Sequence, residues 1–252
     1  MKTVHLIGIG PGDPEMVTVQ AINTMKTVDV FFLLEKAGRG KESLLAVRRD
    51  ILERYAGERP YRVVTAASPQ RNRENPNYAE GVIEWRDERL TIIGDLIANE
   101  LTEGQVGAFL VWGDPSLYDG MIESLSLLQR QGRQDFDFTV IPGITSVQVL
   151  TARHRIPLNR IAETITITTG RLLEDVAPAD VTNAVVMLDS RQAFRRFAET
   201  GHEVYWGALL GSPDERLIAG PVAEVADAIE GELEAVRAQN GWVMDTYILR
   251  KP

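Results

Sequence analysis

Gly8-Ile9-Gly10-Pro11-Gly12-Asp13-Pro14 directly follows a short apolar run at residues 4–7, and about a hundred residues later Trp112-Gly113-Asp114-Pro115 follows another, at residues 106–111. Glycine after a strand lets the backbone turn sharply or approach a second segment where a Cβ would collide. Two such turns at strand ends predict a cleft wall built largely from main chain. Between and around them, strand-like runs at 28–34 and 61–65 alternate with helical patterns at 44–52 and 78–101. That alternation predicts a mostly parallel sheet whose working turns lie beyond the strand C-termini.

The second half reads differently. Apolar or alternating runs at 136–141, 164–169, 184–188, 203–209 and 242–249 are joined by one main helix at 222–236, which predicts a mixed sheet. The expected organisation is two α/β domains, residues 1–120 and 121–252, with the boundary in the stretch 118–133.

Composition narrows the function classes. A chain of 252 residues with 44% hydrophobic content is long enough for two modest cores. The net charge of -9 argues against general nucleic-acid binding, which needs a concentrated positive surface, but leaves room for a small anion held by clustered arginines. No apolar run has transmembrane length, and Met1-Lys2-Thr3-Val4-His5 leads into a strand rather than a signal peptide, so no membrane partner and a cytoplasmic location are expected. With no cysteine, thiolate metal sites and thiol nucleophiles are excluded, and His5, His154 and His202 have neither triad nor metal-ligand spacing.

The first turn is a poor dinucleotide fingerprint. Pro11 and Pro14 occupy positions where G-x-G-x-x-G would enter its helix, and no GK[ST] follows. A nucleotide-dependent oxidoreductase is thereby disfavoured, while a noncatalytic binding module leaves the clustered turns without a purpose. Asp13 reads equally as the cap of the next helix, and Asp114 or Ser116 likewise.

In order and spacing, the Gly8 to Pro14 turn, Gly113-Asp114-Pro115, Pro142-Gly143-Ile144-Thr145-Ser146, and Ile156-Pro157-Leu158 leading to Thr168-Thr169-Gly170 resemble the tetrapyrrole methylase family. The resemblance covers most of the chain. It implies a two-domain α/β fold with a mostly parallel N-terminal sheet and a mixed C-terminal one, a homodimer, and S-adenosylmethionine as methyl donor in a trough between domains. No metal is implied. Within the family, Asp29-Val30-Phe31-Phe32-Leu33-Leu34-Glu35-Lys36, residues 66–78, and Gly113-Asp114-Pro115-Ser116-Leu117-Tyr118-Asp119 point to a late cobalamin precursor. The implied reaction methylates precorrin-5 at C-1 and releases the extruded acetyl group as acetate, giving precorrin-6A; methylation at C-11 or C-17 would use the same turns. The family's usual Phe-x-Phe-Gly-Arg-Gly after Gly-Asp-Pro is replaced here by residues 116–120, which disfavours the uroporphyrinogen branch.

By the same resemblance, Gly113, Asp114, Leu117, Thr145, Ser146, Met187, Leu188, Ala208 and Leu209 are expected to contact the donor. Met187 and Leu188 read equally well as core strand. Pro11 is expected on the substrate side. Arg71 and Arg73 are candidates for the carboxylates of a precorrin, or else residues of a solvated loop, and Tyr78 is a candidate stacking or anchoring residue. Methyl transfer from a sulfonium needs no covalent protein nucleophile. Acetate release asks for a proton relay or an admitted water, for which Asp13, Asp119 and Glu35 are the candidate carboxylates.

Overall fold

The computed structural model describes residues 1–35, 42–69, 78–132 and 135–251. The chain divides into two compact units, Met1–Ile144 and Thr145–Pro252.

The first unit runs β1 (Lys2–Gly8), α1 (Val19–Met25), β2 (Val30–Glu35), α2 (Glu42–Tyr55), β3 (Arg62–Ala67), α3 (Tyr78–Glu100), β4 (Val106–Val111), α4 (Met121–Gln131) and β5 (Phe136–Ile141). Its sheet has the order β3-β2-β4-β1-β5, with every pair parallel. The inner strands β2 and β4 read as nearly unbroken apolar runs because both their faces are covered. Val4, Leu6, Val30, Phe32, Phe109 and Val111 pack with Ile93, Ile97 and Leu125 on the α3 and α4 side. Their sequence neighbours Ile7, Phe31, Leu33, Ala108 and Leu110 pack with Ala21, Met25, Ile51 and Leu52 on the α1 and α2 side. This is the two-residue strand period in full. All five C-terminal ends lie at one edge, and the connections leave β1 and β4 toward opposite sides of the sheet, so a switch point falls between these neighbouring strands.

The division falls after Ile144 rather than after Gly120. The stretch from 118 to 133, expected as a boundary, contains α4, whose Met121, Leu125 and Leu128 are buried on one face at helical spacing. Strand β5 then pairs with β1 from Lys2↔Phe136 to Ile7↔Ile141, which fastens it to the first unit.

The second unit runs α5 (Ser146–His154), β6 (Thr166–Thr169), α6 (Gly170–Leu173), β7 (Asn183–Met187), β8 (Glu203–Ala208), β9 (Arg216–Pro221), α7 (Val222–Asn240) and β10 (Asp245–Arg250). The sheet order is β6-β7-β10-β8-β9, mixed as expected: β6 and β7 are parallel and the other pairs antiparallel. Helix α7 buries Val222, Ala226, Ile229, Leu233 and Val236, a stripe of alternating four- and three-residue steps. Its first four members pack with Val204, Trp206, Tyr247 and Leu249. At about 1.5–3 kcal/mol for each large apolar side chain, that face is a principal support of the unit. The helix stops at Gly241, whose left-handed backbone (φ 73°) returns an N–H to the Arg237 carbonyl. Among the described residues no helix is long and apolar enough to cross a membrane.

Candidate functional site

At the C-terminal edge of the first sheet, three turns meet through their main chains. Gly10 and Gly113 exchange N–H···O bonds of 3.3 and 2.8 Å, and the Ile9 N–H reaches the Val111 carbonyl at 2.9 Å. Gly143, just past β5, lies closer still: a Cβ there would stand 2.1 Å from the Gly113 carbonyl oxygen and 2.8 Å from Gly8 Cα. A Cβ on Gly8 would in turn stand 2.6 Å from Gly143 N. Only glycine permits this approach at either position.

Asp114 ties the turns together. Its Oδ2 accepts the Gly143 N–H at 2.8 Å, and its Oδ1 accepts the Ser116 N–H at 2.8 Å and the Ser116 hydroxyl. Burial pushes the carboxyl pKa up, but the hydrogen bonds from Ser116 and Gly143 outweigh it and hold the group below its ordinary value. The carboxylate is thus committed to backbone donors, which makes Asp114 a positioning residue for the turns. Leu117 is half-buried, its N–H closing on the Asp114 carbonyl at 3.2 Å, and Tyr118 follows in a left-handed conformation (φ 56°).

The remaining candidates of this unit have local roles. Pro11 is buried. Asp13 caps the short helix Pro14–Met16 by accepting the Glu15 N–H at 2.9 Å. Asp119 accepts the Met121 N–H at 3.0 Å at the start of α4. Glu35 ends β2 in an exposed position, its carbonyl accepting from Ser68 N–H at 2.6 Å. Among the described residues, no hydrogen bond joins any two of these three carboxylates directly. Arg71, Arg73 and the side chain of Tyr78 lie outside the described residues.

In the second unit the expected residues do converge. Strands β7 and β8 both run antiparallel to β10, which lies between them, so their C-terminal ends share one rim with the start of β10. Met187 pairs with Thr246, and Ala208 with Asp245. The Ser146 hydroxyl meets that of Thr246 at 3.1 Å. Thr145 caps α5, accepting the Val147 N–H at 3.2 Å while the Gln148 side chain accepts the Thr145 N–H at 2.9 Å. Leu188 and Leu209, which follow β7 and β8, both take left-handed backbone angles (φ 54° and 51°). Such conformations cost a non-glycine residue about 1–2 kcal/mol and turn peptide groups out of the strand ladder. Leu209 lies buried with its N–H on the Met244 carbonyl at 2.9 Å, whereas Leu188 stands 66% exposed. The rim therefore offers apolar side chains, hydroxyls and redirected peptide groups, the mixture that an adenosyl group joined to an amino acid needs.

Sequence reasoning missed the polar layer beneath this rim. Asp189, only 5% exposed, accepts N–H bonds from Arg191 (2.9 Å) and Ala193 (2.7 Å) and the Tyr247 hydroxyl at 2.7 Å. Asp245 accepts the indole N–H of Trp206 at 3.0 Å. Burial pushes Asp245 up to about 6, with Asp189 adding to the rise and Trp206 opposing it. Burial and the neighbouring Asp189 raise Tyr247 well above the ordinary phenol value. These partners are far apart in sequence, and the one local signal was an acid following a predicted strand at Met187-Leu188-Asp189.

The family model of the tetrapyrrole (corrin/porphyrin) methylases matches residues 3–226. The chain belongs to the tetrapyrrole methylases. It is 47% identical over 251 residues to a protein of a Sinorhizobium species named precorrin-6A synthase [deacetylating], a match covering 100% of this chain and 96% of the other. Among solved structures, a cobalamin synthesis related protein (CobF) from Corynebacterium diphtheriae superposes with a TM-score of 0.82 at 38% identity, covering 99% of this chain and 98% of that one. Uroporphyrin-III C-methyl transferase from Thermus thermophilus, solved with S-adenosyl homocysteine, shares the fold at a TM-score of 0.59 and 22% identity, covering 98% and 92% of the two chains. As in the chain's sequence reading, the tetrapyrrole methylase fold appears as one parallel and one mixed α/β unit.

Proposed function

We propose that this tetrapyrrole methylase transfers a methyl group from S-adenosylmethionine to C-1 of precorrin-5, releasing acetate and forming precorrin-6A in the oxygen-dependent route to cobalamin. The observation that carries the reading is the full-length 47% identity to the Sinorhizobium protein of that name. In atoms, the ring carbon gains the sulfonium methyl and a water takes the departing acetyl group as acetate, leaving S-adenosylhomocysteine. Bound S-adenosylmethionine supplies the activated methyl, and no protein atom has to be alkylated on the way.

The donor contacts are assigned unit by unit. In the first unit, Gly113 and Leu117 present main chain at the strand edge, and Asp114 fixes the shape of that edge through Gly143 and Ser116. In the second, Thr145, Ser146, Met187, Leu188, Ala208 and Leu209 supply the rim described above, and Thr246 joins them through its contact with Ser146. Pro11, Arg71, Arg73 and Tyr78 are assigned to the substrate. Asp13, Glu35 and Asp119 are held in reserve for acetate release, where admission of water to a reactive acetyl group asks little of the protein. The reading carries with it a cytoplasmic location and a homodimer, and light scattering of the purified protein tests the dimer directly.

The deciding experiment supplies precorrin-5 and S-adenosylmethionine together and follows product mass and acetate. One added methyl with one acetate is the expected result. Methyl addition without acetate would leave a methyltransferase and remove the deacetylating assignment. Inactivity toward precorrin-5 with turnover of an earlier or later precorrin would move the reaction to another ring carbon, such as C-11 or C-17.

A further inference from the structure

Two guanidinium groups approach the C-terminal end of β4 and the loop after it, from helices on opposite faces of the first sheet. Arg48, on α2, donates Nε–H to the Leu110 carbonyl at 3.2 Å and Nη1–H to the Leu44 carbonyl at 3.0 Å, with its carbon 5.7 Å from the centre of the Trp112 ring. Arg89, on α3, donates Nη1–H to the Asp119 carbonyl at 3.2 Å and lies 5.6 Å from the Trp85 ring. Both are half-buried. Burial lowers the pKa of each, and the nearby Asp119 carboxylate raises it in part.

The contrast with their neighbours is chemical. The exposed Arg54, Arg59, Arg62 and Arg86 of this unit each pair with a carboxylate. Among the described residues Arg48 and Arg89 pair with none, although desolvated cations have most need of a counter-charge. Their shared negative neighbour, Asp119, is engaged with the Met121 N–H. Each guanidinium has N–H groups beyond those used for carbonyls, and each lies near an indole that limits how its plane can turn. Two cations against one carboxylate make a locally positive patch on a chain of net charge -9.

We propose that Arg48 and Arg89 form a carboxylate-docking subsite that grips acidic side chains of the tetrapyrrole and sets its orientation at the β4 edge. This rests on the substrate class proposed above. Neither arginine was singled out in the sequence.

The test measures binding of uroporphyrin I, a polycarboxylate porphyrin, by fluorescence, alongside KM for precorrin-5 and the affinity for S-adenosylhomocysteine. Arg48→Gln and Arg89→Gln should each weaken uroporphyrin binding and raise KM by about tenfold, with the lysine variants recovering part of the loss. Asp119→Asn, which keeps an oxygen for the α4 cap, should tighten uroporphyrin binding by about threefold as a negative charge leaves the patch. Donor-product affinity should stay unchanged throughout. Folded glutamine variants with wild-type uroporphyrin affinity and KM would overturn the subsite. So would a parallel fall in S-adenosylhomocysteine affinity and thermal stability, which marks a purely structural role. Should Arg48→Gln not fold, Arg48→Lys and Arg89→Gln decide the matter. Arginine-dependent uroporphyrin binding without turnover of precorrin-5 would sustain the subsite and sink the substrate assignment; normal turnover with unaltered KM in the variants would do the reverse.

Discussion

The two units shape their strand ends by opposite means. In the first, side chains are removed: Gly8, Gly113 and Gly143 let three backbones lie within contact of one another. In the second, side chains are kept and the backbone is bent instead, with Leu188 and Leu209 in the left-handed region. A glycine edge is sterically saturated, so any added atom collides. A strained-leucine edge retains an apolar surface and stores a modest conformational cost. The same kind of substitution should therefore be ruinous in one unit and almost silent in the other.

The largest expected effect is Gly143→Ala. With the new methyl 2.1 Å from the Gly113 carbonyl oxygen, backbone has to move on backbone, and a loss of about 3 kcal/mol or more is expected in urea unfolding. A variant as stable as the parent would show that the approach of these turns is not a constraint on the fold.

Next is Asp245→Asn, which probes the acid layer under the leucine rim. The folded-state pKa of about 6 lies above the ordinary 3.8, so the folded protein binds this proton more tightly than the unfolded chain. Wild-type stability therefore falls as pH rises from the lower value through the upper, and the penalty is complete above both. Asparagine keeps an oxygen for the Trp206 N–H and carries no charge. A gain of about 2 kcal/mol near pH 8, vanishing near pH 3, is expected. A pH-independent difference would place the cause elsewhere than in the charge.

Asp114→Ala should cost about 1–2 kcal/mol by leaving the Gly143 and Ser116 donors without their acceptor, and should weaken S-adenosylhomocysteine binding. Here the sign reverses. A depressed carboxylate stabilises above its unfolded pKa and loses that contribution as pH falls through its folded value, so wild type and variant should converge in acid. Unchanged donor-product affinity and stability would remove Asp114 from both roles.

How much of this was legible from residues alone follows from the range of the interactions. The strand runs of β2 and β4 are apolar without a break and needed no partner to be read. The mixed character of the second sheet was visible in its spacing. Strand β9 escaped notice because its edge position leaves it only partly buried, from Arg216 through Gly220-Pro221, where no alternation of apolar residues stands out. The structural division falls after Ile144 because the pairing of β5 with β1, invisible in the sequence, holds the stretch containing α4 to the first unit. The rim at the ends of β7 and β8 was reached through family resemblance. Its polar support, Asp189 with Tyr247 and Asp245 with Trp206, joins residues that have no local signature.

The smallest effect sharpens the comparison most. Leu188→Gly removes the cost of a left-handed leucine, about 1–2 kcal/mol, and returns a similar amount through the greater freedom of glycine in the unfolded chain. Since the side chain is 66% exposed, little burial is lost, and stability should stay within about 0.5 kcal/mol of wild type. Leu188→Ala keeps the backbone constraint while removing the apolar surface. If the leucine supplies donor contact, calorimetry should find both variants about threefold or more weaker for S-adenosylhomocysteine, at almost unchanged stability. If alanine binds like leucine and only glycine is weak, the rim works through its fixed peptide groups and not through its side chain. If both bind like wild type, the bend at Leu188 is a turn and nothing more, and the second unit's claim on the donor rests on Leu209 and the Ser146–Thr246 pair.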